Sequence, residues 1–169
     1  MRGKRVRDSS TVMAQMMNPQ DANPAGNVHG GVIMKLIDTV AGTVAMRHAR
    51  SNAVTASFDR LDLHWPAFIG DFVTLRASLN LVGRTSMEVG IRVETENLMT
   101  GERHHMASAY MTYVALDKNG HPAPVPPLIL KTDDEKRRSR EAKARREMRL
   151  REKTKEKSCQ LDANSCELA

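Results

Sequence analysis

Cysteine is nearly missing from this chain of 169 residues: there are two, Cys159 and Cys166, both within the last eleven positions. Neither lies where it could staple a core, so disulfides are not expected to hold the fold, and a reducing cytoplasm suits this usage. No apolar run approaches the roughly 18 residues of a membrane span. The start MRGKRVRDSS has no apolar segment behind its basic residues, so neither secretion nor membrane insertion is expected. No Gly-x-Ser-x-Gly elbow and no Ser/His/Asp order occurs, which argues against a serine hydrolase. The six histidines lack the i, i+4 or Cys/His spacing of a zinc site, and His104 and His105, adjacent in a strand, must point to opposite faces. No metal is expected.

What is present suits one soluble domain, with 40% hydrophobic and 27% charged residues. The net charge of +6 is unevenly spread. Residues 1–130 carry 13 Lys/Arg against 11 Asp/Glu, whereas residues 136–157 carry twelve against four. The basicity therefore belongs to a tail and the body is nearly neutral. No aromatic residue interrupts that basic stretch, so it offers no stacking platform for a single strand, and nucleic acid is not the favoured partner.

Apolar pairs at 32/33, 36/37, 40/41 and 44/45 repeat at helical spacing, which predicts one long, mostly buried helix. It follows His29-Gly30-Gly31 and ends near His48-Ala49-Arg50, where cations suit the negative end of the dipole. Alternation over 73–81 and 87–93 predicts two half-buried strands joined by a short hairpin at Gly83-Arg84-Thr85, and a turn at 97–101 leads to a third at 103–115. The run 54–65 is interrupted by Asp59-Arg60 and stopped by Pro66, so a bulge is expected there. A further short strand fits 12–16. One buried helix followed by enough antiparallel strand to wrap it describes an α+β domain. Pro122, Pro124, Pro126 and Pro127 close it. The expected organisation is a flexible N-terminus over 1–11, a domain over 12–130 and a charged tail over 131–169. That tail lacks an apolar stripe, so it is expected to be exposed or disordered and dispensable.

Asp38 is the most unusual residue: a carboxylate in about the third turn of an otherwise apolar helix, too far in for capping or the dipole to explain it. It either lies on a solvated stripe with Lys35 and Thr39 or lines a cleft, where it could activate water or attack a carbonyl carbon. Asn23 precedes Pro24 in a turn-forming stretch and reads equally as an Asx turn. Gly30-Gly31 at a helix start can present backbone N–H groups to an oxyanion. His29 is expected to cap or pack.

The strings DANPAGNVHGGVIMKLIDTVAG, VTASFDRLDLHWPAFIGDFV, GRTSMEVGIRVETEN and GERHHMASAYMTYVALD, in this order over roughly 12–128, resemble the acyl-coenzyme A thioesterases of the hotdog fold. The resemblance implies a central helix wrapped by a curved antiparallel sheet, and hydrolysis of acyl-CoA to acid and coenzyme A, within fatty acid metabolism. No separate cofactor is implied, since coenzyme A is part of the substrate. Carried over by residue, Asp38 is the catalytic acid, Asn23 the catalytic asparagine supplied by the partner subunit, and Gly31 the backbone donor to the thioester oxygen. The resemblance further implies a homodimer with active sites at its interface, assembled as a hexameric trimer of dimers. Coenzyme A phosphates need cations and donors. Arg84, Thr85 and Ser86 at the hairpin tip, with Arg60 at the strand interruption, are the candidates. A hotdog dehydratase fits less well, because the acidic helix position has no histidine beside it. The alternative of another class is a non-catalytic acyl-CoA sensor or a nucleic-acid-binding module using the basic tail.

Overall fold

The computed structural model describes residues 1–161, with side chains through Thr154; Cys159 and Cys166 therefore lie outside the described side chains. Helix α1 runs Gly30–Ala49 and stops where Arg50 turns left-handed at φ 59°. Its apolar pairs bury Ile33, Leu36, Ile37, Val40, Ala41, Val44 and Ala45. They pack against a five-stranded antiparallel sheet ordered β2-β4-β5-β6-β3: β2 Thr11–Met16, β3 Asn52–Leu63, β4 Phe72–Val82, β5 Ser86–Glu96 and β6 Arg103–Leu116. The strand alternation places Val73, Leu75, Ala77 and Leu79 of β4 and Val89, Ile91 and Val93 of β5 on the helix side. The α+β architecture, the hairpin and the three consecutive antiparallel strands appear as the periodicity predicts, and the long helix packed on a five-stranded antiparallel sheet is the hotdog arrangement that the resemblance implies. The bulge appears too, as register shifts between Thr55 and Ser57 and between Phe58 and Arg60.

Both ends of the chain depart from expectation. The N-terminus is packed, not flexible: β1, Lys4–Arg5, runs parallel to β7, Leu128–Ile129. Val6 and Ser9 are buried. A single apolar residue among charged neighbours left no pattern to read. The proline segment supplies this corner with acceptors, since a proline lacks a donor but keeps its carbonyl. Pro127 O accepts from Lys4 N at 3.0 Å, and Pro126 O lies 2.8 Å from Nε2 of the fully buried His48.

The tail is also placed otherwise than expected. Residues Asp133–Leu161 form helix α2, and it docks on the sheet face opposite α1. Its contact stripe is Arg138, Ser139, Ala142, Arg145 and Arg149, of which Ala142 is fully buried. The stripe crosses successive strands. Arg138 donates to Ser78 on β4 at 2.9 Å, Arg145 pairs with Glu88 on β5 at 2.7 Å and lies 3.7 Å over the Tyr110 ring on β6, and Arg149 bonds Asp59 on β3. The helix needs no apolar stripe to dock, because the face it meets is itself acidic and polar. Among the described residues, no helix is long and apolar enough to cross a membrane.

His48 gives this corner a pH dependence. Burial, offset in part by the Pro126 bond, holds its pKa below the ordinary 6.5. Below that pH the unfolded chain takes up a proton that the folded chain refuses, so stability is complete above about pH 6.5 and falls as pH drops further. Thermal midpoints measured from pH 7.5 to pH 5 should decline, and His48→Gln should decline less steeply over the same range. Equal slopes would show that His48 is not responsible.

Candidate active site

Asp38 is exposed at the flank of α1 that faces the sheet's edge strand. Two hydroxyls reach it: Thr55 Oγ1 on β3 and the Tyr113 hydroxyl on β6 each donate to Oδ1 at 2.7 Å. Thr55 and Tyr113 are register partners, so one rung of the sheet supplies both donors. The Tyr113 hydroxyl also lies 2.9 Å from the Asp38 carbonyl oxygen, tying the side chain to its own backbone. Among the described residues, Oδ2 has no hydrogen-bond partner, so half of the carboxylate is oriented and unspent. Burial, and the adjacent Asp38 carboxylate, push the Tyr113 phenol well above its ordinary value, so it stays a donor.

Asn23 lies elsewhere in the chain. Its Oδ1 accepts from the Ala25 and Asn27 N–H groups at 2.9 and 3.2 Å, an Asx turn. Its Nδ2 is without a partner among the described residues. With Gly30, Leu63, Trp65 and Met106 it lines a cavity of about 320 Å³ at the start of α1. Asp38 does not line that cavity, so one chain alone does not unite the two residues. Gly31 N–H is not free: it donates to His29 Nδ1 at 2.9 Å, and His29 is the helix N-cap. Capping was the role expected of His29; an open donor was expected of Gly31.

The hairpin tip is held by backbone bonds. Val125 N donates to Arg84 O at 3.0 Å, Ala115 N to Thr85 O at 2.9 Å and Gly83 N to Ser86 O at 2.7 Å. Ser86 pairs with Val114, one rung beyond Tyr113, so the tip adjoins the Asp38 rung. Arg60 does not join it. It pairs with Tyr110, four residues away along β6, or about 13 Å, and its guanidinium is engaged by Asp62 at 2.6 Å. Thr55 and Tyr113 were missed from sequence. The signal for Tyr113 was a tyrosine at an inward strand position, whose buried hydroxyl requires a partner.

Residues 25–102 match the family model of the thioesterase superfamily. The cytosolic acyl coenzyme A thioester hydrolase of Rattus norvegicus is 40% identical over 139 residues, covering 81% of this chain and 36% of that protein. The chain thus spans about a third of that relative's length. A structure described as an apo-hexameric acyl-CoA thioesterase superposes with a TM-score of 0.87 at 39% identity, covering 90% of this chain and 97% of the other. The acyl-CoA hydrolase of Staphylococcus aureus, in complex with butyryl coenzyme A, coenzyme A and coenzyme A disulfide, superposes equally at 0.87 with 31% identity, covering 96% and 99%. Variants of that hydrolase with alanine in place of one Asp, one Asn or one Thr are structural neighbours as well.

Asp38→Ala should leave the fold intact. Tyr113 keeps the backbone carbonyl as its acceptor and alanine is the better helix former, so the net loss from two hydrogen bonds to an exposed carboxylate is about 2 kcal/mol. The thermal midpoint should fall by no more than about 8 °C. A collapse of cooperative unfolding would mean that the carboxylate is there for stability.

Proposed function

Since the chain belongs to the hotdog-fold acyl-coenzyme A thioesterase family, we propose that it hydrolyses acyl-CoA thioesters to a carboxylic acid and coenzyme A, with Asp38 as the reacting group. The observation that carries this reading is a helix-interior carboxylate with one oxygen held by two hydroxyls and the other left free. A carboxylate held at one oxygen presents the other in a fixed direction, which a reacting base or nucleophile requires.

Asp38 Oδ2 either removes a proton from water as that water attacks the carbonyl carbon, or attacks the carbon itself to form an anhydride that water then opens. In both routes the carbon–sulfur bond breaks, a carbon–oxygen bond forms and the thiolate leaves to take up a proton. Developing charge on the thioester oxygen needs donors. The unpartnered Asn23 Nδ2 is one. Gly31 N–H becomes the second when His29 Nδ1 swings away and the thioester oxygen takes its place as acceptor. Substitution of an Asp, an Asn and a Thr in the Staphylococcus aureus hydrolase supports attention to the same residue types here, Asp38, Asn23 and Thr55.

Asn23 would be supplied by a partner subunit. Among the described residues β3 pairs only with β6, and Val54, Phe58 and Leu63 on β3 are exposed, as is Met34 on α1. A free edge strand with apolar side chains invites pairing with a second copy. Three such dimers would form the hexamer, a state that one structural neighbour's description names for that protein. Arg84, Thr85 and Ser86 stand beside the Asp38 rung and are proposed to bind coenzyme A phosphates. Arg60 is kept as a more distant candidate.

The test is complementation. Asp38→Ala and Asn23→Ala homo-oligomers should each release no thiol from acyl-CoA above background. Subunits mixed and exchanged should regain part of the wild-type rate, because a mixed dimer contains one site with both residues intact. Proven exchange without recovery would refute the shared site, and a wild-type rate from folded Asp38→Ala would refute the role of Asp38.

A further inference from the structure

Resting on that reading of Asp38, whatever aims Thr55 becomes part of the site, and the route leads to the C-terminal helix. β3 and β6 repeat one chemical arrangement on two successive rungs, facing opposite sides of the sheet. Thr55 and Tyr113 form the first rung, and both hydroxyls donate to Asp38 on the α1 side. Ser57 and Thr112 form the next, and both hydroxyls donate to Asp59 on the α2 side, Thr112 at 3.1 Å. Ala56 is the extra residue between them. In an unbroken strand Thr55 and Ser57 would share a face; the bulge separates them.

A bulge leaves its extra residue unpaired and breaks the ladder locally, so the sheet alone restrains it weakly. A second irregularity between Phe58 and Arg60 leaves Asp59 outside the regular ladder. The restraint comes from α2: Arg149 bonds Asp59, with side-chain exposures of 16% and 10%. A charge pair this sheltered is screened less than a surface pair, and removing either member strands the other. The neighbouring pair, Arg145 with Glu88, grips β5, an inner strand with neighbours on both sides, beside an irregularity of β4 between Leu79 and Leu81.

We propose that Asp59 and Arg149 are positioning residues of the active centre: their ion pair locks the β3 bulge that aims Thr55 at Asp38, making the basic C-terminal helix part of the catalytic apparatus. On this proposal the tail, expected to be dispensable, is needed for the full rate.

Steady-state hydrolysis of acyl-CoA by the full-length protein tests this. Arg149→Gln and Asp59→Asn should each lower kcat about tenfold to a hundredfold, the cost of a small misalignment, with KM little changed. The double variant should be no worse than either single one, because both remove the same contact. Arg149→Lys should recover much of the rate. Arg140→Gln, which removes the same charge from an exposed position on α2, should leave kcat and KM as in wild type. In a Thr55→Ala background Arg149→Gln should cost nothing further, a result that mere loss of stability would not give. Wild-type kcat in folded Arg149→Gln, or an undiminished loss in the Thr55→Ala background, overturns the proposal. Should Arg149→Gln fail to fold, Asp59→Asn, which preserves side-chain shape, decides by the same criteria. A wild-type protein that releases no thiol defeats the thioesterase reading itself, and this role with it.

Discussion

The grip of one sheet rung on one helix carboxylate is the interaction around which the rest is arranged. For Thr55 and Tyr113 to reach Asp38 together, α1 must lie close against β3 and β6, at one rotation and one height. The small residues of the helix permit that approach. A side chain added at Gly42 would already touch the Tyr113 ring at 3.5 Å, and Ala41 and Ala45 are fully buried beside it. The long apolar face of α1 drives the helix onto the sheet, a force with no direction of its own. The two hydroxyls then set its register, since a buried phenol must find an acceptor and here finds two on residue 38.

That arrangement also explains why the sheet is irregular where it is. A regular edge strand would turn Thr55 and Ser57 to one face; the bulge lets β3 serve Asp38 on one side and Asp59 on the other. The outer face of the sheet is correspondingly polar, with Ser78, Glu88, Thr112 and Asp59 where a sandwich would carry aliphatic side chains. Such a face cannot recruit an apolar helix. It recruits arginines spaced seven and four apart, Arg138, Arg145 and Arg149, which bond the polar groups of the face while their stems cover the surface between.

These two helices account for what could and could not be read from sequence. The helix over residues 32–45, the strand alternation and the Asp59-Arg60 interruption were legible because burial on one face leaves a period. Asp38 was legible for the opposite reason, as a charge that breaks that period. Thr55 and Tyr113 were not, because each is an ordinary strand residue until a carboxylate from another element stands beside it. The docking of α2 was not legible because it leaves no apolar stripe: the complement is electrostatic and depends on where β3 and β5 place their acids. Gly31 departs from the open donor expected of it for a local reason: the histidine cap two residues earlier accepts the N–H that a pair of glycines would otherwise leave open.

The most direct measurement is a crystal structure of the Asp38→Asn protein with an acyl-CoA bound. The account predicts the thioester carbonyl carbon within about 3.5 Å of the residue 38 side chain, with the Thr55 and Tyr113 hydroxyls still on that side chain and the Asn23 amide of the other protomer at the carbonyl oxygen. A thioester held away from residue 38, or met by no asparagine from across the interface, would contradict it.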